Sequence, residues 1–356
     1  MGTATTAQPQ RARRARQDPS APPGVLAELL DGADVRFNGS RPWDIQVHDP
    51  EVYRRVLRQG SLGFGEAYMD GLWDSDSLDE LFARLLAARV DRRVQGFMRL
   101  RLAAAVLQNR LLNRQSKARA FEVGERHYDI GNDVYTAMLD PTMSYSCGYW
   151  KDARDLDEAQ RAKLRLACDK LQLEPGMHLL DIGSGWGGLA AFAAENYGVR
   201  VTGITVSREQ VELARERCRD LPVEFHLMDY RDLQGHFDRV VSVGMFEHVG
   251  PRNYPEFFAT VDRVLDPDGL FLLHTIGDNQ TTDTMDPWID RYIFPNGKLP
   301  SARRLAAAAE DAFIIEDWHN FGPDYDPTLM AWWRNFDAAW PELAPRYGER
   351  FYRMWR

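Results

Sequence analysis

From His178 onward, short apolar runs alternate with longer segments whose apolar residues recur at helical spacing. The runs His178–Ile182, Arg200–Val206, Val223–Met228, Arg239–Val243, Leu270–Thr275 and Phe313–Trp318 predict strands. Segments such as Arg208–Arg219 and Pro255–Leu265 predict the helices between them. This alternation with short loops predicts an α/β fold, a doubly wound parallel sheet with helices on both faces. Ligands of such sheets sit beyond the carboxyl ends of the strands. Gly183, Thr205, Asp229, Gly244 and His274 all fall at predicted strand ends, so the chemistry is expected there.

The first third of the chain has a different rhythm. Ala33–Phe37 and Trp43–Val47 read as short strands, and residues 51–112 read mainly as helices. Val52, Val56 and Leu57 are assigned to one helix face, and Leu78, Leu81, Phe82 and Leu85 to another. Gly60–Trp73 reads as a glycine-rich turn with exposed aromatics. Val94–Leu112 reads as an amphipathic helix, Met- and Leu-rich on one side and Arg-rich on the other. Both a core-facing helix and one lying on a lipid surface fit that pattern. The polar stretch Asn113–Arg119 marks a boundary. The expected organisation is a disordered tail over 1–20, a smaller mainly helical unit over 21–114, and the sheet unit over 115–356. Arg11, Arg13, Arg14 and Arg16 suit either a solvated tail or contact with lipid headgroups.

An apolar content of 44% in 356 residues allows a sizeable core in each of two domains. The net charge of −9 argues against nucleic-acid binding and against whole-surface attraction to anionic membranes. Any membrane contact would therefore be local. The cysteines, Cys147, Cys168 and Cys218, have no metal-type spacing and no even disulfide set, so a reducing compartment and no metal are expected. No apolar run approaches the roughly 18 residues of a membrane-spanning helix, and no secretory signal core opens the chain.

Leu179-Leu-Asp-Ile-Gly-Ser-Gly-Trp-Gly-Gly188 carries a strand, a tight turn and a helix start. Gly183 and Gly185 would let the backbone approach a ligand, and Gly188 would let the helix pack on the strand. The next strand ends in Thr205-Val206-Ser207 and lacks the acid that a nicotinamide dinucleotide's ribose would need. Asp181 ahead of the glycines fits a nucleoside without a pyrophosphate, which reads as an S-adenosylmethionine site.

Tyr145-Ser-Cys-Gly-Tyr-Trp150, Met245-Phe-Glu-His-Val-Gly250, Leu272-Leu-His-Thr-Ile-Gly277 and Phe321-Gly-Pro-Asp-Tyr-Asp326 would meet over one end of the sheet. With Glu125-Arg-His-Tyr-Asp-Ile-Gly-Asn-Asp133, Asp181–Gly188, Val243–Pro251, Tyr292-Ile-Phe-Pro-Asn-Gly297 and Glu316–Gly322, these pieces resemble the cyclopropane-fatty-acyl-phospholipid synthase family, which includes the mycolic acid cyclopropane synthases. Gly60–Trp73 resembles the extra N-terminal domain of the phospholipid-acting members. The resemblance implies a Rossmann-like class I methyltransferase domain, a homodimer, and a cytoplasmic enzyme at the inner face of the membrane. It also implies a continuation past Arg356, with a last strand beside Phe313–Trp318. Ser184 stands where many members have Cys.

The implied reaction moves a methylene group from S-adenosylmethionine to the cis double bond of an unsaturated phospholipid acyl chain in the bilayer. A carbocation forms, and bound bicarbonate removes its proton. The resemblance assigns backbone contacts with bicarbonate to Cys147 and Ile276, and side-chain contacts to Glu247, His274 and Tyr325. It assigns the methionine end of the donor to Tyr145 and Ser146, and the turn around it to Asp181, Gly183, Gly185 and Trp186. Thr205, Val206 and Gln210 go to the ribose, Asp229 and Tyr230 to the adenine. His248 is left between orienting Glu247 and touching the nucleoside. Water must be kept from the cation, so Phe246, Trp288, Tyr292, Phe294 and Phe321 are expected to line an apolar slot. A methylene- or methyl-branching enzyme, a small-molecule N-methyltransferase and a non-catalytic lipid-binding homologue are the alternatives.

Overall fold

The computed structural model describes residues 21–90 and 131–356, which belong to two compact units. The tail over 1–20, the segment Val94–Leu112 and the boundary at Asn113–Arg119 lie outside the described residues, as does most of the Glu125–Asp133 motif.

In the first unit, strands β1 (Gln46–Val47) and β2 (Trp73–Asp74) pair antiparallel among the helices Gly24–Asp31, Glu51–Gln59, Ser61–Met69 and Leu78–Ala87. Ala33–Phe37 is irregular and meets Ile45 only through a bridge at Phe37. Gly60–Trp73 is largely the helix Ser61–Met69, and its aromatics are not exposed as a group. Trp73 is 1% exposed. Its ring stacks on Phe64 with centroids 4.2 Å apart, and its indole N–H donates to the Phe64 carbonyl at 3.0 Å. A Cβ on Gly63 would stand 2.2 Å from the Arg55 carbonyl oxygen, so this glycine serves close helix packing. Val52 and Leu81 are buried, whereas Leu57 and Phe82 are exposed. Five residues carry Leu57 well round the helix from Val52, and Phe82 simply follows the buried Leu81.

The second unit is built on β3 (His178–Ile182), β4 (Arg200–Thr205), β5 (Val223–Leu227), β6 (Phe237–Val243) and β7 (Leu265–His274), all parallel, in the order β5-β4-β3-β6-β7. The chain winds outward from β3 through β4 and β5, then returns to place β6 on the other flank. That reversal opens a crevice between the carboxyl ends of β3 and β6. Helices Leu156–Lys170, Gly188–Tyr197 and Arg208–Arg217 contribute to the core on one face, through Leu164, Phe192 and Val211. Helices Tyr254–Val264 and Ala302–Ala309 contribute to the other, through Phe257, Val261 and Leu305. A further aromatic cluster joins helices Asn132–Met138, Tyr325–Tyr347 and Glu349–Trp355 around Tyr135, Trp332 and Phe336.

The sixth expected strand does not form. Phe313 packs on Phe258 and Phe271, but Ile314 is 90% exposed and residues 313–320 carry no ladder. The β-branched run has the propensity of a strand, yet no described strand pairs with it, and the Phe313 amide turns back to the Ala309 carbonyl at 2.8 Å. Instead Asp317 pairs with Lys170. Among the described residues no helix is long and apolar enough to cross a membrane, and no cluster of metal-ligating side chains occurs.

Candidate active site

The chain leaves β3 through a turn at Gly183 and Gly185, with φ of +87° and +54°. The amides of Gly183 and Ser184 both donate to the Ile204 carbonyl, at 2.9 and 3.0 Å, which pins the turn to β4. Nothing lies within 4 Å of where a Gly185 Cβ would stand, so this backbone is open to a ligand. At Gly183 a Cβ would meet that of Met245 at 2.6 Å; this glycine admits a neighbouring side chain. Gly188 makes room for the Thr142 carbonyl, 2.1 Å from its hypothetical Cβ, and not for the strand.

A cavity of about 230 Å³ lies over this turn. Every residue expected to hold the methyl donor lines it, from Tyr145 and Ser146, through Asp181, Gly183, Gly185, Trp186, Thr205, Val206 and Gln210, to Asp229 and Tyr230. The supports are local. The Thr205 hydroxyl donates to Gln210 Oε1 at 2.7 Å, and the Ser207 hydroxyl caps the helix that carries Gln210. The Trp186 indole donates to Asn132 Oδ1 at 2.9 Å. Asp229 accepts two bonds from the Arg231 guanidinium, at 3.0 and 2.9 Å, and a third from the Arg231 amide. Arg231, absent from the expected set, thus orients the carboxylate of Asp229, the residue expected at the adenine. Burial pushes the Asp181 carboxyl up to about 7, against the pull of Lys163.

Of the residues expected at the bicarbonate site, Glu247, Ile276 and Tyr325 line the same cavity. Glu247 Oε1 accepts the Ile276 amide at 2.7 Å, while Oε2 is buried without a hydrogen-bond partner. Burial raises its pKa, which favours a shared or bound proton. The Tyr325 hydroxyl is also raised by burial, then by the nearby Glu247, and receives a backbone bond from Cys147. Cys147 and His274 do not line the cavity; they adjoin Ser146 and the Thr275-Ile276 segment that leads to it. Burial holds the Cys147 thiol up at about 11, so it is no thiolate nucleophile. Burial, followed by the Lys163 charge, drops His274 to about 3, and burial alone drops His248 to about 4. Both rings are neutral at pH 7. His248 lines the cavity 6.2 Å from the Phe294 ring.

The apolar slot differs from expectation. Phe294 lines the cavity, joined by Met285 and Leu299. Phe246 is core, stacked on Tyr254 at 4.3 Å. Trp288 and Tyr292 pack on each other, and Phe321 packs on His274 at 5.2 Å. Aromatic identity alone did not separate lining from core. Lys163 is a further lining residue that was missed. Its signal was present: it stands among Leu156, Ala159, Leu164 and Ala167 on the buried face of one helix.

Residues 115–356 match the family model described as mycolic acid cyclopropane synthetase. The chain belongs to that family. It is 57% identical over 332 residues to the cyclopropane-fatty-acyl-phospholipid synthase of Escherichia coli K12, a match covering 93% of this chain and 86% of that protein. It is 34% identical to the tuberculostearic acid methyltransferase UfaA1 of Mycobacterium tuberculosis, covering 91% of this chain and 80% of that one. The solved mycolic acid cyclopropane synthase CmaA1, complexed with SAH and CTAB, superposes with a TM-score of 0.61 at 33% identity. That likeness covers 66% of this chain and 90% of CmaA1. The chain is therefore an enzyme with the Rossmann-like class I methyltransferase fold, as its sheet order indicates.

Proposed function

We propose that this enzyme transfers a methylene group from S-adenosylmethionine to the cis double bond of unsaturated phospholipid acyl chains, forming a cyclopropane. The observation that carries this reading is a single cavity holding the open glycine turn, the unpartnered Glu247 Oε2 and the apolar side chains of Met285, Phe294 and Leu299. The E. coli match extends through most of the first unit, which supports a phospholipid substrate.

The donor supplies an electrophilic methyl group, the kind of reagent an isolated alkene requires. Tyr145, Ser146, Gly185 and Gln210 orient it, and the apolar wall keeps water from the cation on the acyl chain. The orphaned Glu247 oxygen supports a small hydrogen-bonding anion, bicarbonate, against Glu247, Tyr325 and the Ile276 backbone; His274 and the Cys147 backbone, beside the cavity and not lining it, would complete its shell. When bound, bicarbonate supplies the base for the proton lost on ring closure. Glu247 and the anion cannot both be fully ionised at such close range, so one proton is shared between them. The working form is a homodimer, cytoplasmic and peripherally attached to the inner face of the membrane.

Incubation with methyl-labelled S-adenosylmethionine and vesicles of a cis-unsaturated phospholipid tests this. The expected product is one CH₂ heavier with the double bond gone; recovery of unchanged lipid sinks the proposal. A branched product is the second reading, favoured by the UfaA1 match; NMR of the product separates the two.

A further inference from the structure

Helix Leu156–Lys170 buries two polar side chains one turn apart, Gln160 at 0% and Lys163 at 4% exposure. The Gln160 amide donates to the Ser146 carbonyl at 2.8 Å, and Lys163 Nζ donates to Ser146 Oγ at 3.0 Å. Lys163 also lines the cavity on the wall that holds Ser146, Asp181 and Gly183. Its acidic neighbours are Asp140 and Asp181. Asp140 is already engaged by the amides of Thr142 and Ser144 and by the Thr142 hydroxyl. Asp181 is left as the acid that shares the cavity with Lys163.

An ammonium has three donors, and the bond to Ser146 uses one of them. Burial lowers Lys163 to about 8, so it remains mostly protonated at pH 7. A methionine would fill the same space without that desolvation cost. The wall thus presents one cation and one carboxyl group, beside a hydroxyl. A ligand complementary to it carries both a carboxylate and an ammonium, as the end of an amino acid does.

We infer that Lys163, together with Ser146 Oγ, binds the α-carboxylate of the donor's amino-acid end. This rests on the reading of the cavity as an S-adenosylmethionine site. Asp181, on the same wall, is the counterpart for the α-ammonium.

Calorimetry on the full-length protein tests it with three ligands: S-adenosylhomocysteine, its decarboxylated analogue, and 5′-methylthioadenosine, which lacks the whole amino-acid end. K163M is expected to weaken S-adenosylhomocysteine about 10- to 100-fold, the range for one lost charged hydrogen bond. Binding of the other two ligands is expected to stay unchanged. Equal weakening of all three means that Lys163 only supports the fold, and overturns the inference. Unchanged affinity for S-adenosylhomocysteine overturns it too, as does a variant whose only defect is a raised bicarbonate requirement for turnover. If K163M does not melt cooperatively, K163Q and S146A make the same comparison. Failure of the wild type to bind any of the three would instead sink the donor-site reading itself.

Discussion

Glu247 is a cavity-lining carboxyl group with one oxygen committed to the Ile276 amide and the other buried without a hydrogen-bond partner. Changing it to Gln keeps the shape and removes the titration. E247Q is expected to bind S-adenosylhomocysteine nearly as tightly as the parent, while turnover falls by a factor on the order of 10² or more. Calorimetry alongside a labelled-methyl assay checks this, and parental turnover would dismiss the assigned role. Gly188 poses a separate test. A methyl group there would collide with the Thr142 carbonyl, so G188A is expected to lose about 1–3 kcal/mol, seen as a lower Tm. At this scale the sequence was informative around the glycine turn, and less so for Cys147 and His274, which do not line the cavity. All the residues expected to hold the donor, from Tyr145 to Tyr230, line one cavity. It was less informative for Lys163, whose meaning depends on which way its helix faces, and for Phe246, which looks like a slot residue and is core.

Between elements, the strip from Tyr145 to Trp150 has a holder on each side. Gln160 and Lys163 grip it from one helix. From the other, the Thr328 hydroxyl accepts the Gly148 amide at 3.1 Å and the Trp150 indole at 2.9 Å, and Asp324 accepts the Trp150 amide. T328V leaves two inward-facing donors without acceptors and is expected to cost about 2–4 kcal/mol, measurable by denaturant unfolding. A loss within error would mean that neither bond matters. Five of the six predicted strands were legible because each is a short apolar run between helical segments. Phe313–Trp318 has the same composition, but strand formation needs a partner, and a single run says nothing about its neighbour. Gly60–Trp73 misled for a related reason. Glycine marks both turns and close helix contacts, and Gly63 turned out to be the latter.

Across the whole molecule, two kinds of buried charge pull stability in opposite directions with pH. His248 and His274 are depressed from 6.5 to about 4 and about 3, so the unfolded chain takes up their protons first. Their contribution is constant above pH 6.5 and is lost as the pH falls from there. Asp181, raised to about 7, acts in the opposite sense: its contribution is full below 3.8 and is lost as the pH rises towards 7. H274Q isolates one limb. Relative to the parent, it should gain up to about 1.4 kcal/mol per pH unit between pH 6.5 and 4, read from unfolding curves at each pH. A constant difference would show that His274 does not titrate as its burial demands. Removal of residues 1–112 tests the first unit. Action on vesicles should fall more than S-adenosylhomocysteine affinity, whereas equal losses would mark the segment as structural only.

Gly148 and Thr328 lie 180 positions apart, yet their bond helps shape the wall against which the donor would rest. Such a contact can form only once Thr328 has been synthesised, and closing so long a loop costs chain entropy. The methyl donor therefore cannot find its finished seat on a nascent chain that has released only the glycine turn. By the same linkage, occupancy of that seat should slow proteolysis within Tyr325–Tyr347, a helix that contributes only Tyr325 to the cavity wall.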